Sequence, residues 1–191
     1  RGEERVLSGE HHPSGHVLPP GLVASGEGLA VVERSTGHSN GMAIDIEGRL
    51  LVCEQTRNRV VRHEHDGGKT VLASEHEGKE LNSPNDFAVH SNGDVYFSDP
   101  AYGRIPVYGE ERPQQLDFQG VFRVRAEDGE LELVAKDQVQ PNGLCFSPDE
   151  RRFFVDDCEL GDIWVYDVGE DGSFSAGRLF RQGVGVPCTW E

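Results

Sequence analysis

Three stretches of the chain align without gaps: NGMAIDIEGRLLVCE at 40–54, NDFAVHSNGDVYFSD at 85–99 and NGLCFSPDERRFFVD at 142–156. Each opens on Asn followed by Gly or Asp, runs apolar, turns about eight positions on, and returns through a second apolar run to an acid. Asn40, Asn85 and Asn142 are each followed fourteen residues later by Glu54, Asp99 and Asp156. The turns carry E-G, N-G and D-E; Asn-Gly is a strong hairpin signal, and P-D-E suits a type I turn. Each stretch is therefore predicted to be a β-hairpin whose opening Asn and closing acid lie at the same end of the sheet.

A third apolar run follows each hairpin, as RVVRH at 59–63, GVFRV at 120–124 and DIWVYDV at 162–168, and a fourth follows a Gly-containing turn. Four antiparallel strands in a unit of about 45 residues mark a propeller blade, whereas helical repeats of similar period would show a 3.6-residue apolar spacing. The predicted fold is all-β, a β-propeller of four-stranded antiparallel blades. Residues 25–34 read as the last strand of an earlier blade, so 25–187 form a partial propeller, about four blades' worth. Residues 1–24 fit no repeat, and 188–191 form an atypical end. The second unit carries an insertion at 100–120 rich in Pro, Gly and Tyr, expected to be a loop over one face, where binding elements sit.

Asp and Glu total 34 against 18 Lys and Arg, a net charge of -16 spread along the whole chain. Phosphate binding needs a basic face, so nucleic acid is not an expected partner. No window reaches the ~20 apolar residues of a membrane helix and the start lacks a signal-peptide layout, so no membrane contact is expected. Cys53, Cys145, Cys158 and Cys188 form no C-x-x-C pair. They are read as reduced thiols of a cytoplasmic protein, with Cys53 and Cys145 packed inside apolar runs.

The stretches GHSNG at 37–41, EGKELNSPND at 77–86, VYFSDPAYG at 95–103, FQGVFRV at 118–124 and PNGLCFSPDE at 141–150 together resemble the family of gluconolactonases, senescence marker protein and luciferin-regenerating enzyme. The resemblance spans roughly 25–187. It implies a six-bladed propeller that holds one divalent cation in its central channel and hydrolyses sugar lactones or related esters. It further implies metal ligation by Asn142, from the P-N-G stretch, and by Asn85, from the P-N-D stretch, directly or through water. Two further ligands are expected. Where the P-D-G Asp should stand, the chain reads Pro187-Cys188-Thr189, and the E-G-P-x-W start is not found. That Asp is also the proton-accepting carboxylate the resemblance implies, so no catalytic base is assigned and the chain is expected to be an incomplete copy, weakly active or inactive.

The residue chemistry is consistent with this. Opening residues of successive blades point toward the axis at one end, so Asn85 and Asn142 converge there, with Asn40 lining the channel. Amide oxygens suit a hard cation, Ca²⁺ first, with Zn²⁺, Mg²⁺ or Mn²⁺ as alternatives. A cation there would polarise a lactone carbonyl without a Ser or Cys nucleophile, and no G-x-S-x-G is present. His38, Asp86, Asp99 and Tyr102 are expected to line the channel beside substrate, Asp99 because it introduces the insertion, while Glu54, Asp99 and Asp156 are also read as caps that accept backbone N–H bonds from loops rather than as catalytic groups. Against this stands the turn preference of Asn between strands. The competing reading is a non-catalytic propeller binding or scaffold module. Open blade edges would favour self-association.

Overall fold

The computed structural model describes residues 5–7, 22–25, 28–31 and 37–184. Among them the only helical pieces are two 3-10 turns, Gln55–Arg57 and Tyr102–Arg104. Everything else regular is β, as the period-2 apolar runs require. Strands β1 (Arg5–Leu7), β2 (Leu22–Ser25) and β3 (Gly28–Val31) form a three-stranded antiparallel sheet. Strand β1 and all of β2 but Ser25 lie within 1–24, the stretch read as fitting no repeat.

Three four-stranded antiparallel sheets follow, each in simple sequence order. The first contains β4 (Ser39–Ile44), β5 (Leu50–Glu54), β6 (Arg59–His63) and β7 (Lys69–Ala73). A short hairpin, β8 (Glu75–His76) with β9 (Lys79–Glu80), leads to the second sheet. That sheet contains β10 (Phe87–Val89), β11 (Val95–Asp99), β12 (Gly120–Val124) and β13 (Leu131–Ala135). The third contains β14 (Pro141–Phe146), β15 (Arg152–Asp157), β16 (Asp162–Asp167) and β17 (Arg178–Arg181). All three predicted hairpins and the four-strand blades are present.

The blades stack face to face. Leu51, Cys53, Val60, Leu81, Phe87, Val95, Phe97 and Phe122 fill the seam between the first and second. Ala88, Tyr96, Val121, Leu144, Phe153, Val155 and Tyr166 fill the next. Successive side chains of a strand point to opposite faces. Thus Val95 and Phe97 enter one seam and Tyr96 the other, and all five residues of β11 are buried. Each fully buried aromatic there stabilises the stack by roughly 1.5–3 kcal/mol through apolar burial. The seams close most tightly near the opening residues. Gly41 N–H donates to the Asn85 carbonyl at 2.6 Å. A Cβ at Gly41 would stand 2.2 Å from that oxygen, so glycine is required by the approach of one blade to the next.

The third hairpin departs from the gapless alignment. The first two turns close as Asp45 N to Arg49 O and His90 N to Asp94 O, while the third closes as Ser147 N to Arg152 O, one residue longer. Glu150 takes up the extra residue at φ 56°. Registers Met42↔Val52, Phe87↔Phe97 and Leu144↔Val155 then make Asp157, not Asp156, the counterpart of Glu54 and Asp99. Alternation turns Asp156 to the other face, the position held by Cys53 and Ser98 in the earlier blades.

Two cysteine expectations are corrected. Cys53 is buried, but Cys145 is exposed, because alternation in β14 points it away from the seam that Leu144 enters. Cys158 is disulfide-bonded rather than a reduced thiol, which removes the thiol argument for a cytoplasmic location. No helix among the described residues is long and apolar enough to cross a membrane.

Candidate functional site

At the start of the innermost strands the ladder is broken. Register shifts fall between Ser39 and Met42 in the first blade and between Pro141 and Leu144 in the third, so each Asn-Gly pair sits in a bulge. Bulges release a residue from the ladder and re-aim its side chain. Asn40 and Asn142 are the residues so released, while Asn85 stands just before β10 and donates its N–H to Ser98 O at 2.9 Å.

The three positions come together at one end. Gly41, next to Asn40, binds the Asn85 carbonyl. Ser98 joins the other pair: its carbonyl accepts from Asn85 N, and its Oγ donates to the Asn142 carbonyl at 2.7 Å while accepting from Asp86 N at 3.2 Å. Asn85 and Asn142 therefore lie on the same rim of adjacent blades, as the repeat predicts. Asn40 is tied sideways, its Nδ2 donating to Gln55 Oε1 at 2.9 Å, while Gln55 Nε2 donates to Tyr108 O at 2.8 Å.

Two carboxylates stand beside the amides. Asp86 is pushed above the ordinary carboxylate range by burial, and its Oδ2 is 3.4 Å from Leu144 N. Asp156 accepts from Gly143 N at 2.7 Å. Its carboxyl is also raised, first by desolvation and further by the charges of Asp86 and Asp157, a shift that water tempers because the residue is exposed. Tyr102 enters from the insertion. Burial pushes its hydroxyl up to about 12, against a smaller lowering effect of the Asn142 amide, so it is protonated at neutral pH.

Asp99 does not line this space. It has no exposed surface, and its two oxygens accept from Asn82 N at 2.7 Å and Ser83 N at 2.8 Å. Burial raises it to about 7 even so, with Arg104 opposing the shift. It holds the strand-to-loop connection that delivers Asn85. Asp157 does the same one blade on, accepting from Val139 N at 2.7 Å and Gln140 N at 3.3 Å. His38 is exposed at φ 52° in the bend before β4. Cys188 lies outside the described residues.

The residues gathered on this rim carry amide and carboxylate oxygens, a donor type that matches a hard cation rather than a thiolate-seeking one. Among the described residues no three His, Cys, Asp or Glu side chains form a cluster fit for a metal ion. A separate cleft of about 300 Å³, lined by Leu116, Phe118, Gln119, Lys136, Gln138 and others of the insertion and the β13–β14 connection, includes none of these residues. Sequence reasoning assigned Asp156 to a cap and missed Ser98 and Gln55. Ser98 had a signal in its place one residue before the closing acid; Gln55 had none.

Residues 22–186 match the family model described as the SMP-30/Gluconolactonase/LRE-like region. A gluconolactonase of Zymomonas mobilis is 32% identical over 172 residues, which is 88% of this chain and 45% of the relative. A solved gluconolactonase structure from Xanthomonas campestris superposes with a TM-score of 0.77 at 32% identity, covering 85% of this chain and 55% of that one. A luciferin-regenerating enzyme shares the fold at 16% identity and a TM-score of 0.56, over 75% of this chain and 47% of its own. The chain thus spans about half the length of these relatives.

Proposed function

Since the chain belongs to the SMP-30/gluconolactonase/LRE-like family and folds as its β-propeller relatives do, we propose that it is built for hydrolysis of small sugar lactones or related esters with one divalent cation, Ca²⁺ first. The observation that carries this reading is the meeting of Asn85 and Asn142 on one rim, linked through Ser98. These two amides would hold the cation, with Asn40 lining the same channel.

A cation bound there supplies polarisation of the lactone carbonyl and acidification of a bound water. The chain's own residues do the rest. Asp86 and Asp156 set carboxylates beside the two amides, placed to accept a proton. Tyr102 offers a protonated hydroxyl that can donate to a substrate oxygen. The seam residues fix the amides, because Gly41 and Ser98 leave the blades no freedom to slide. These residues include two of the four ligand positions the resemblance implies, so turnover by the 191-residue chain alone is expected to be weak or absent.

Calorimetric titration with Ca²⁺ and Mn²⁺, paired with pH-stat hydrolysis of glucono-lactone, tests this. Cation binding that is lost in Asn142→Ala and Asn85→Ala supports the reading. A folded chain that binds neither cation would leave the non-catalytic propeller module.

A further inference from the structure

The insertion sets the sense of the Asn40 amide through one intermediary. Tyr108 presents a backbone carbonyl, which can only accept, so the Gln55 atom 2.8 Å from it is Nε2. Gln55 therefore turns Oε1 to its other side, and Asn40, 2.9 Å away, must answer with Nδ2. Flipping either amide would set two acceptors face to face. Gln55 has no room to swing, since it is 2% exposed and a Cβ at Gly103 would stand 2.4 Å from its Cγ. The insertion that presses on it is fastened in turn. Gly103 N–H donates to Ser83 Oγ at 2.8 Å, and the buried Arg104 donates to the carbonyls of Leu81 at 2.7 Å, Asn82 at 2.9 Å and Pro113 at 2.6 Å. Arg112 binds Asn58 Oδ1 at 2.5 Å and the Thr56 carbonyl, which ties the insertion to the first blade.

Asn40 is left with one unused polar atom. Its Nδ2 is spent on Gln55, its Oδ1 accepts from no group among the described residues, and the side chain is half-buried in the bulge that frees it from the β4 ladder. The next residue, Gly41, donates its N–H to the Asn85 carbonyl at 2.6 Å, which holds Asn40 on the rim shared with Asn85. The carboxylates of that rim, Asp86 and Asp156, are acceptors too when ionised. Acceptors are matched by a ligand that brings donors, and in a sugar lactone the donors are the hydroxyls. We propose that Asn40 is a specificity-determining residue whose Oδ1 accepts from a lactone hydroxyl, and that Gln55, held by the insertion, is its positioning residue. The inference rests on the lactone reading above and narrows it: hydroxylated lactones are taken in preference to plain ones. One such hydrogen bond is worth roughly 2–12-fold in affinity.

The test uses the full 191-residue chain with Ca²⁺ and two lactams, which keep the shape of lactones but resist hydrolysis: glucono-lactam, and piperidinone, the same ring without hydroxyls. Ligand-observed NMR titration reads both affinities, and their ratio is the quantity of interest. The parent chain should favour glucono-lactam. Asn40→Ala and Gln55→Met should each lower the ratio by roughly 2–12-fold. Met keeps the length of Gln55 against Gly103 and removes the amide that orients Asn40. Gln115→Met removes another amide of the insertion, one that accepts from Glu80 N at 2.9 Å, and should leave the ratio unchanged. Equal binding of the two lactams by the parent overturns the hydroxyl-accepting role alone. An unchanged ratio in Asn40→Ala does the same, and so does equal weakening of both lactams, the result expected if the oxygen served the cation. A ratio lowered in Asn40→Ala but kept in Gln55→Met overturns the positioning role of Gln55. A parent chain that binds neither lactam overturns the lactone reading itself, and both roles with it.

Discussion

Replacing Asp157 or its neighbour Asp156 by Ala separates the two closing positions that differ by one residue. Asp157 has no exposed surface and accepts from Val139 N at 2.7 Å, Glu159 N at 3.1 Å, and Gln140 N and Leu160 N at 3.3 Å each. A hydrogen bond to a charged group contributes about 1.5–3 kcal/mol, and a buried donor left alone costs about 1–3 kcal/mol. Water can reach part of the loop that carries these donors, so we take the short bond in full and the longer three at a discount, for a loss of about 3 kcal/mol. Asp156 makes one short bond to Gly143 N, yet desolvation and the charges of Asp86 and Asp157 oppose its ionised form. Its removal should change stability by less than about 1 kcal/mol in either direction. For a chain of this size that gap lowers the melting temperature of Asp157→Ala by roughly 6–12 °C relative to Asp156→Ala. Urea denaturation with matched m-values gives the same comparison at constant temperature. An equal loss in both variants, or a larger one in Asp156→Ala, would refute the shifted register and restore the gapless alignment.

Other outcomes follow from the same coordinates. Gly41→Ala should cost at least about 2 kcal/mol, because its Cβ meets backbone at 2.2 Å and 2.7 Å, whereas Gly143→Ala meets only a movable Asp156 oxygen at 3.1 Å; calorimetric melting of the pair checks the order. Asp99, raised to about 7 from 3.8, binds its proton more tightly folded than unfolded. Its contribution is therefore full below about pH 4 and is lost as pH rises through 7, by up to about 4 kcal/mol. Asp86 and Asp156 are raised and act with the same sign, while the stabilisation from the lowered Asp45, Glu54 and Asp94 is complete by about pH 5.5, a unit above their unfolded values. Denaturation midpoints that rise from about pH 5.5 to pH 8 would contradict the assignment. Arg104→Leu should open the insertion to protease between 105 and 112 while the sheets persist, since three loop carbonyls lose their donor; cleavage at the parent rate would show that the guanidinium is not the fastener.

Much of the fold was legible because strand physics is local. Alternation in VYFSD and the Asn-Gly turn at 92–93 specify a hairpin without reference to anything distant. The fourfold repetition of apolar runs specifies blades because a two-sided sheet must bury both faces. The site was legible in part, since symmetry places equivalent residues such as Asn85 and Asn142 on one rim. Asp99 was read wrongly as lining because an acid at a strand end looks the same whether it faces a channel or caps a loop. Only its bonds to Asn82 and Ser83 distinguish the two.

By itself the sequence determined the strands, their grouping into blades, and the end of the sheets at which the amides gather, all of which depend on periodicity and turn chemistry within a few residues. The tertiary structure decided which acid is sealed and which faces the channel, how the insertion reaches across to Gln55, and why Gly41 tolerates no side chain. Those outcomes depend on distances between blades, and a one-residue change in a turn reverses the face to which every following side chain points.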